Sequence, residues 1–308
     1  MNMKKVYCGV DVSKKHLDAF NGKKTRQFDN TCDGAMALMA WAGNAHYVFE
    51  STGGYERMAA WMVMAADGTA SVVNPARVRH FALGMGQIAK TDPIDARMIY
   101  DFACHTSPDP SEKPSETQRR LTALVDRRQQ LTDMHTAESN RLGSADEPEL
   151  RRLIEQHLRW LEKQLEKLET KITEAIDKDS ALKEKAGRIQ SIKGLGAVSA
   201  ATLLAHLPEI GTLSRREIAS LAGLAPFNRD SGGKSARRHV CGGRRRLRSC
   251  LYMAAMSAKT YNPVMREFYR RLVEENHRPK MVALTAVMRK LLIAANSAVK
   301  NPDFSIAV

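Results

Sequence analysis

The stretch KKVYCGVDVS, residues 4–13, opens the chain with an apolar run containing valines and a tyrosine, which is typical of a buried strand. Asp11 lies inside this run, and its neighbours Val10 and Val12 point to the opposite face of a sheet. A carboxylate amid such apolar sequence is costly unless it is paired or bound to a cation. The stretch therefore predicts a sheet with a functional or paired acid built into its first strand.

The segments that follow extend this sheet. Three further β-rich runs have the sequences HLDAF, TRQFDN after a turn at Asn21 and Gly22, and HYVFEST. Helical composition appears in DGAMALMAWAG, in YERMAAWMVMAA after Gly54, and from about Pro75 to Leu83, with a short strand, ASVVN, between the last two. A meander of strands followed by alternating helices and strands predicts a mixed α/β domain over residues 1–110.

Four acids of this domain could meet in one place. Glu50 ends the strand HYVFE, and Asp92 and Asp95 in TDPID lie one helical turn apart at the start of a helix. Mg²⁺ prefers oxygen ligands and takes one or two carboxylates per ion, so four acids suit two ions that act on a phosphodiester. Three of these acids also have a simpler interpretation: Asp92 as a helix cap, Asp11 as a salt-bridge partner and Glu50 as a surface acid.

The middle of the chain, residues 111–186, is rich in charge and almost free of glycine. Its apolar residues recur in alternating steps of four and three: Ile154, Leu158, Leu161, Leu165, Leu168 and Ile172. This heptad seam predicts a helical hairpin or a coiled coil that needs a partner helix, with the break SADEPEL, residues 144–150, between two long helices. An amphipathic helix packed on its own domain is the alternative.

The last segment, residues 187–308, is predicted to be a helical domain that contacts nucleic acid. IQSIKGLGAVSAATLLAHLP has the shape of a helix-hairpin-helix element, in which Lys193, Gly194 and Gly196 could present backbone amides to a phosphate. A glycine turn between two packed helices is an equally good interpretation. Further along, eight basic residues accompany a single acid, Asp230: Arg229, Lys234, Arg237, Arg238, Arg244, Arg245, Arg246 and Arg248.

Ser231 lies within this basic segment, in the sequence RDSGG. A serine that attacks phosphorus needs a base or groups that stabilise the developing charge, and guanidinium groups can supply the latter. A serine before two glycines is more often a turn residue, and Ser214, Ser235 and Ser249 are other candidates. The arginines could hold structured RNA as well as duplex DNA.

Composition indicates the partner and the compartment. The 308 residues contain 48 Lys and Arg against 34 Asp and Glu, a net charge of +14 that favours a polyanion such as nucleic acid. Ribosome-associated and membrane-surface proteins share this property. Five cysteines without a C-x-x-C pair predict reduced thiols. We expect no signal peptide and no stretch near the roughly 20 apolar residues that span a membrane, hence a soluble cytoplasmic protein.

Taken in order, the motifs GVDVSK, FEST, TDPIDA and GLAPFNRDSGGK...GGRRRLRSCLYMAA resemble those of the DEDD insertion-sequence transposases, the one-hundred-and-ten family of bridge-RNA-guided recombinases. The resemblance covers essentially the whole chain. It implies a RuvC-like, ribonuclease-H-type domain whose Mg²⁺ ligands, with Mn²⁺ as a substitute, are Asp11, Glu50, Asp92 and Asp95. It also implies a C-terminal transposase domain with Ser231 as nucleophile.

The resemblance further implies DNA strand exchange through a covalent phosphoserine bond, guided by a structured RNA that pairs with donor and target DNA. Acids and serine would come from different subunits, and the heptad segment would hold dimers that pair into a tetramer. Two other functions are kept open. One is a RuvC-like endonuclease that hydrolyses DNA junctions, and the other is a non-catalytic nucleic-acid-binding scaffold.

Overall fold

The structure is a computed structural model that describes residues 6–86, 92–227, 239–240 and 242–304, without the side chains of 92–94, 227 and 239. The chain divides into two compact units, Met1–Pro114 and Ser115–Val308. The predicted domain boundary at residue 110 stays a prediction. The predicted division between residues 186 and 187 stays a prediction.

The first unit is built on a five-stranded mixed sheet with the strand order β3-β2-β1-β4-β5. The strands β1, β2 and β3 form an antiparallel meander, and β1, β4 and β5 run parallel. This is the mixed α/β sheet predicted from the sequence. The strand bounds are β1 Tyr7–Val12, β2 His16–Phe20, β3 Thr25–Asp29, β4 His46–Glu50 and β5 Thr69–Val73.

Helices cover both faces of this sheet: α1 Cys32–Ala42, α2 Glu56–Ala65, α3 Pro75–Gly84 and α4 Asp92–Thr106. Side chains alternate along β1, so Cys8, Val10 and Val12 pack into one apolar cluster with α1 and α2. Tyr7 packs on the other face in a cluster with Ile99 of α4 and other residues of α3 and α4. Asp11 shares the parity of Tyr7 and therefore belongs to the α4 face of the sheet.

Gly9 is where α4 crosses β1. A Cβ atom at Gly9 would lie 2.4 Å from the carbonyl oxygen of Ala96 and 2.5 Å from the amide nitrogen of Tyr100, distances that real side chains do not adopt. Only glycine allows the helix backbone to approach the strand this closely. The sequence GVDVS thus carries both the acid and the residue that lets α4 pack beside it.

The described part of the second unit is helical apart from a two-stranded ribbon, β6 Pro226–Phe227 with β7 His239–Val240. Its long helices are α5 Glu116–Ser144 and α6 Pro148–Asp177, followed by α7 Ser180–Gln190, α8 Ala197–His206 and α9 Arg215–Leu221. The remaining helices are α10 Arg245–Tyr261, α11 Pro263–Arg270, a π-helical turn Arg271–Glu275, and α12 Lys280–Lys300.

The helices α5 and α6 pack against each other as an antiparallel pair. Three cross-helix polar contacts show the direction, because residues further along α5 contact residues nearer the start of α6. These pairs are Arg128 with Glu169 at 2.7 Å, His135 with Glu162 at 3.3 Å, and Glu138 with His157 at 3.4 Å. Leu161 and Ile172 of the heptad seam are buried. The seam thus has a partner helix within the same chain, and a contact between subunits stays a prediction.

The core of the second unit contains α12. Among the described residues it is the one helix long and apolar enough to cross a bilayer, which departs from the expectation that no stretch would reach this length. However, 61% of its most apolar window is buried in the protein. Leu284, Val287, Leu291 and Ala295 lie in the helical core. This burial is that of the central helix of a folded domain.

Candidate metal centre and nucleic-acid interface

Asp11 and Glu50 end up side by side because of strand register. Val10 pairs with Phe49 in the parallel β1–β4 ladder, so Asp11 and Glu50 occupy the next position of each strand. Residues in register on neighbouring strands point to the same face. Both carboxylates therefore belong to the α4 face, near the carboxyl ends of their strands. The Oδ1 atom of Asp11 also accepts a hydrogen bond from the amide of Val12 at 3.0 Å.

The helix α4 brings Asp95, another of the predicted acids, to the same strand. It begins at Asp92, as the spacing of TDPID predicts, and Asp95 directly precedes Ala96, the residue whose carbonyl packs on Gly9. Asp95 is half-buried. The side chain of Asp92 lies outside the described atoms. Close packing at Gly9 thus holds Asp95 beside the strand that carries Asp11.

The donor chemistry of these acids fits Mg²⁺, which prefers carboxylate oxygens. Within the described part of the chain, however, no group of three or more His, Cys, Asp or Glu side chains is close enough to hold a metal ion. The described side chains include those of Asp11, Glu50 and Asp95 but not that of Asp92. The shared face follows from the backbone, and the convergence of all four acids stays a prediction.

Asp18 is an acid of this face that sequence reasoning missed. It pairs directly with Asp11 across the antiparallel β1–β2 ladder, and its residue surface is 8% exposed. The side-chain amide nitrogen of Gln27 on β3, Nε2, donates a hydrogen bond to Asp18 Oδ1 at 2.9 Å. Like charges directly opposite each other destabilise a sheet unless something offsets them. The alternating sequence HLDAF predicted the strand that contains Asp18, but only the strand register shows that Asp18 lies opposite Asp11.

Glu56 is a second acid that the sequence did not single out. It is the first residue of α2, and only 5% of its surface is exposed. Its carboxylate accepts hydrogen bonds from the amides of Thr52 at 3.1 Å and Gly54 at 2.9 Å, and from the hydroxyl of Ser51 at 3.3 Å. The acid therefore holds the loop that directly follows Glu50.

The predicted nucleophile and half of the predicted basic residues lie outside the described residues. These are Ser231, Arg229, Lys234, Arg237 and Arg238. The flanking strands β6 and β7 pair with each other, so the chain enters and leaves this segment at neighbouring points. The roles of these five residues stay predictions.

Arg244, at the start of α10, is committed to a contact within the protein. Its guanidinium donates to both carboxylate oxygens of Glu209, at 2.8 and 2.6 Å, and to the carbonyl of His206 at 2.8 Å. Burial by itself would raise the pKa of Glu209, but the hydrogen bonds and charge of Arg244 bring this pKa below its usual value. Arg244 thus ties the start of α10 to the end of α8.

The other three arginines of this cluster differ from one another. Arg246 forms an ion pair with Asp126 of α5, which also lies 3.1 Å from the imidazole of His206. Arg248 donates to the carbonyl of Gly242. Arg245 is exposed, and its guanidinium forms no ion pair with any described carboxylate. Arg245 is therefore the arginine of this cluster best placed to meet a phosphate.

The turn between α7 and α8 has one packed end and one open end. Gly194 has a φ of +106°, and a Cβ there would lie 2.6 Å from the Cβ of Ala258 in α10. Asn262 also donates to the carbonyl of Lys193 at 2.9 Å. Gly196, in contrast, is exposed and begins α8 without a side-chain cap. The backbone N–H groups at the start of α8, which no side chain caps, are thus accessible near Gly196 and not near Gly194.

Comparison with known proteins gives two family matches and two similar full-length relatives. Residues 8–145 match a family model of DEDD type described as "Transposase", and residues 186–270 match one described as "Transposase IS116/IS110/IS902 family". A "Pilin gene-inverting protein" of Moraxella bovis is 28% identical over 97% of both chains. A protein of the same name from Moraxella lacunata is 27% identical over 97% of both chains.

Proposed function

We propose that the chain belongs to the IS116/IS110/IS902 family of transposases, whose models match residues 8–145 and 186–270, and that it catalyses Mg²⁺-dependent, RNA-guided strand exchange between donor and target DNA. The observation that carries the proposal is the common sheet face of Asp11 and Glu50, with Asp95 held beside it by the α4–Gly9 contact. Both relatives are named as proteins that invert a pilin gene, which also supports a function in DNA rearrangement.

The metal site proposed here consists of Asp11, Glu50, Asp92 and Asp95 in a RuvC-like, ribonuclease-H-type domain. When bound, two Mg²⁺ ions, or Mn²⁺ in their place, would stabilise the attacking and leaving oxygens at the phosphodiester. The four carboxylates supply the negative oxygen ligands that these ions need. Asp18, opposite Asp11, adds to the negative charge of this face.

In this proposal Ser231 is the nucleophile. Its Oγ attacks the phosphorus of one strand, a phosphoserine ester forms, and the sugar hydroxyl of the cleaved strand leaves with a proton. The hydroxyl of the incoming strand then attacks the phosphoserine and releases Ser231, so no external energy source is needed. Guanidinium groups of the surrounding basic segment would stabilise the charge on the phosphate oxygens.

The proposed partners are donor DNA, target DNA and a structured guide RNA, with action on chromosomal DNA in the bacterial cytosol. The exposed Arg245 and the uncapped start of α8 at Gly196 are the described features best suited to backbone phosphates. Two copies would associate into a dimer through the α5–α6 hairpin, and two such dimers would pair into a tetramer.

The deciding experiment is a stalled strand-exchange assay on a radiolabelled donor. The protein is purified from cells that carry its native flanking DNA, and any RNA that co-purifies is sequenced. Wild type should leave a covalent protein–DNA adduct, and Ser231→Ala should abolish both adduct and exchange while still assembling with DNA. The matched control Ser235→Ala should retain both.

Four results would contradict the proposal in different places. Wild-type exchange by Ser231→Ala would remove the serine from the mechanism. Metal-dependent cleavage without any adduct would favour the hydrolytic junction endonuclease. Unchanged nucleic-acid binding by Asp11→Ala, together with neither exchange nor cleavage by wild type, would favour a non-catalytic scaffold. Absence of a defined RNA would remove the guide.

A further inference from the structure

Glu56 is buried for a reason that the α2 helix alone does not explain. A buried carboxylate is costly unless hydrogen bonds satisfy it, and Glu56 has three. The residue before it, Tyr55, caps α2 without any side-chain hydrogen bond. The donors to Glu56 come instead from Ser51, Thr52 and Gly54, the loop that follows β4.

A chain of two hydrogen bonds joins Glu56 to Glu50 through Thr52. The amide of Thr52 donates to the Glu56 carboxylate at 3.1 Å, and the hydroxyl of Thr52 donates to the backbone carbonyl of Glu50 at 3.1 Å. The amide of Ser51 also donates to the carbonyl of Val73 on β5 at 3.0 Å. These contacts fix the backbone immediately after Glu50.

The loop needs such an anchor because its sequence is intrinsically flexible. Gly53 and Gly54 both have positive φ values, of 67° and 107°, in a region that glycine adopts without strain. Glu50 is the last residue of β4, so the direction of its side chain depends on how the chain leaves the strand. The buried carboxylate of Glu56 therefore restrains a glycine-containing loop at the edge of the α4 face of the sheet.

We propose that Glu56 is a positioning residue, which acts through Thr52 to hold the Glu50 carboxylate in the orientation that binds the divalent cation. This inference rests on the metal site proposed above. Glu56 itself accepts hydrogen bonds from the loop and is assigned no contact with the metal or the DNA. Residues that orient metal ligands in this way typically change metal affinity by about 10- to 100-fold when they are altered.

The test uses full-length protein, Mn²⁺ as the probe, and two measurements that do not depend on strand exchange. Mn²⁺ binding is followed by electron paramagnetic resonance, and hydrogen exchange is followed at the amides of residues 51–54. Glu56→Gln should weaken Mn²⁺ binding about 10-fold and speed exchange in the loop. The control Asp33→Asn, an exposed acid in the first turn of α1, should change neither.

Thr52 provides a second and independent arm, which decides the matter if Glu56→Gln does not fold. Thr52→Val removes the hydroxyl and should weaken Mn²⁺ binding, whereas Thr52→Ser keeps the hydroxyl and should bind as wild type does. Wild-type Mn²⁺ affinity in both Glu56→Gln and Thr52→Val, with Glu50→Gln impaired, would overturn the positioning role alone. Equal binding by wild type and Glu50→Gln would overturn the metal site and the inference together.

Discussion

Backbone register determines the positions of Asp11 and Glu50 on the sheet. At the start of α10, in contrast, ion pairs with individual carboxylates hold Arg244 and Arg246. On the sheet, one ladder and one glycine contact bring together residues that are distant in sequence. At α10, neighbouring arginines have different environments: two bind Glu209 and Asp126, and Arg245 faces solvent. A cluster of like residues in sequence is therefore a weaker guide to shared function than a shared sheet face.

The largest effect should come from the acids on the α4 face of the sheet. Asp11→Asn keeps the shape of the side chain but removes its charge, so strand exchange should fall by roughly 10²- to 10³-fold, as for loss of other preorganised electrostatic groups. The Mg²⁺ concentration needed for half-maximal rate should rise in the same variant. Both are measured by exchange kinetics at increasing Mg²⁺.

The control for this variant is Asp67→Asn. Asp67 is exposed and has a φ of 57°, a conformation that asparagine tolerates, so its rate should match wild type. An Asp11→Asn protein with an unchanged Mg²⁺ response would show that the acid is structural, and the contrast between the two regions would vanish.

The next effect tests the glycine contact that places α4. Gly9→Ala forces a Cβ against the α4 backbone and should destabilise the protein by about 3 kcal/mol, the upper range for overpacking. The measurement is urea unfolding followed by circular dichroism. Gly187→Ala in α7 meets nothing within 4 Å and should stabilise by up to about 1 kcal/mol. Similar behaviour of the two variants would argue against close packing of α4 on β1.

A smaller effect separates the arginines of α10. Arg244→Gln breaks the contact with Glu209 and should lower stability by about 1 kcal/mol, since the pair is partly exposed. Arg245→Gln should leave stability unchanged but reduce the slope of log affinity against log salt by about 1 for nucleic-acid binding. Thermal unfolding and salt-dependent binding assays measure the two. The reverse assignment would mean that Arg244 leaves Glu209 to contact phosphate.

The smallest effect is the pH dependence of the same pair. Arg244 lowers the pKa of Glu209 in the folded protein. The stability that this pair contributes is therefore complete above the pKa of glutamate in the unfolded chain. It is lost as the pH falls through the lower folded value. The Tm difference between wild type and Arg244→Gln should therefore narrow from pH 7 to pH 3. A constant difference would show that Glu209 does not titrate with the pair.

Local sequence patterns predicted the elements of the fold. Alternation and apolar runs indicated the strands, and the sheet begins and ends close to the expected residues, with β4 ending at Glu50 and α4 beginning at Asp92. The break after α5 likewise falls at the predicted turn. These features depend on neighbouring residues, so a single sequence is sufficient to reveal them.

The sequence by itself also predicted the family, through the order of its motifs, and family matches cover residues 8–145 and 186–270. Only the tertiary structure decided that Asp18 lies opposite Asp11, that Glu56 anchors the loop after Glu50, and that Arg244 belongs to Glu209. The physical reason is that burial and charge pairing depend on which distant residues meet. Strand register and helix packing determine these contacts, and they cannot be read from composition.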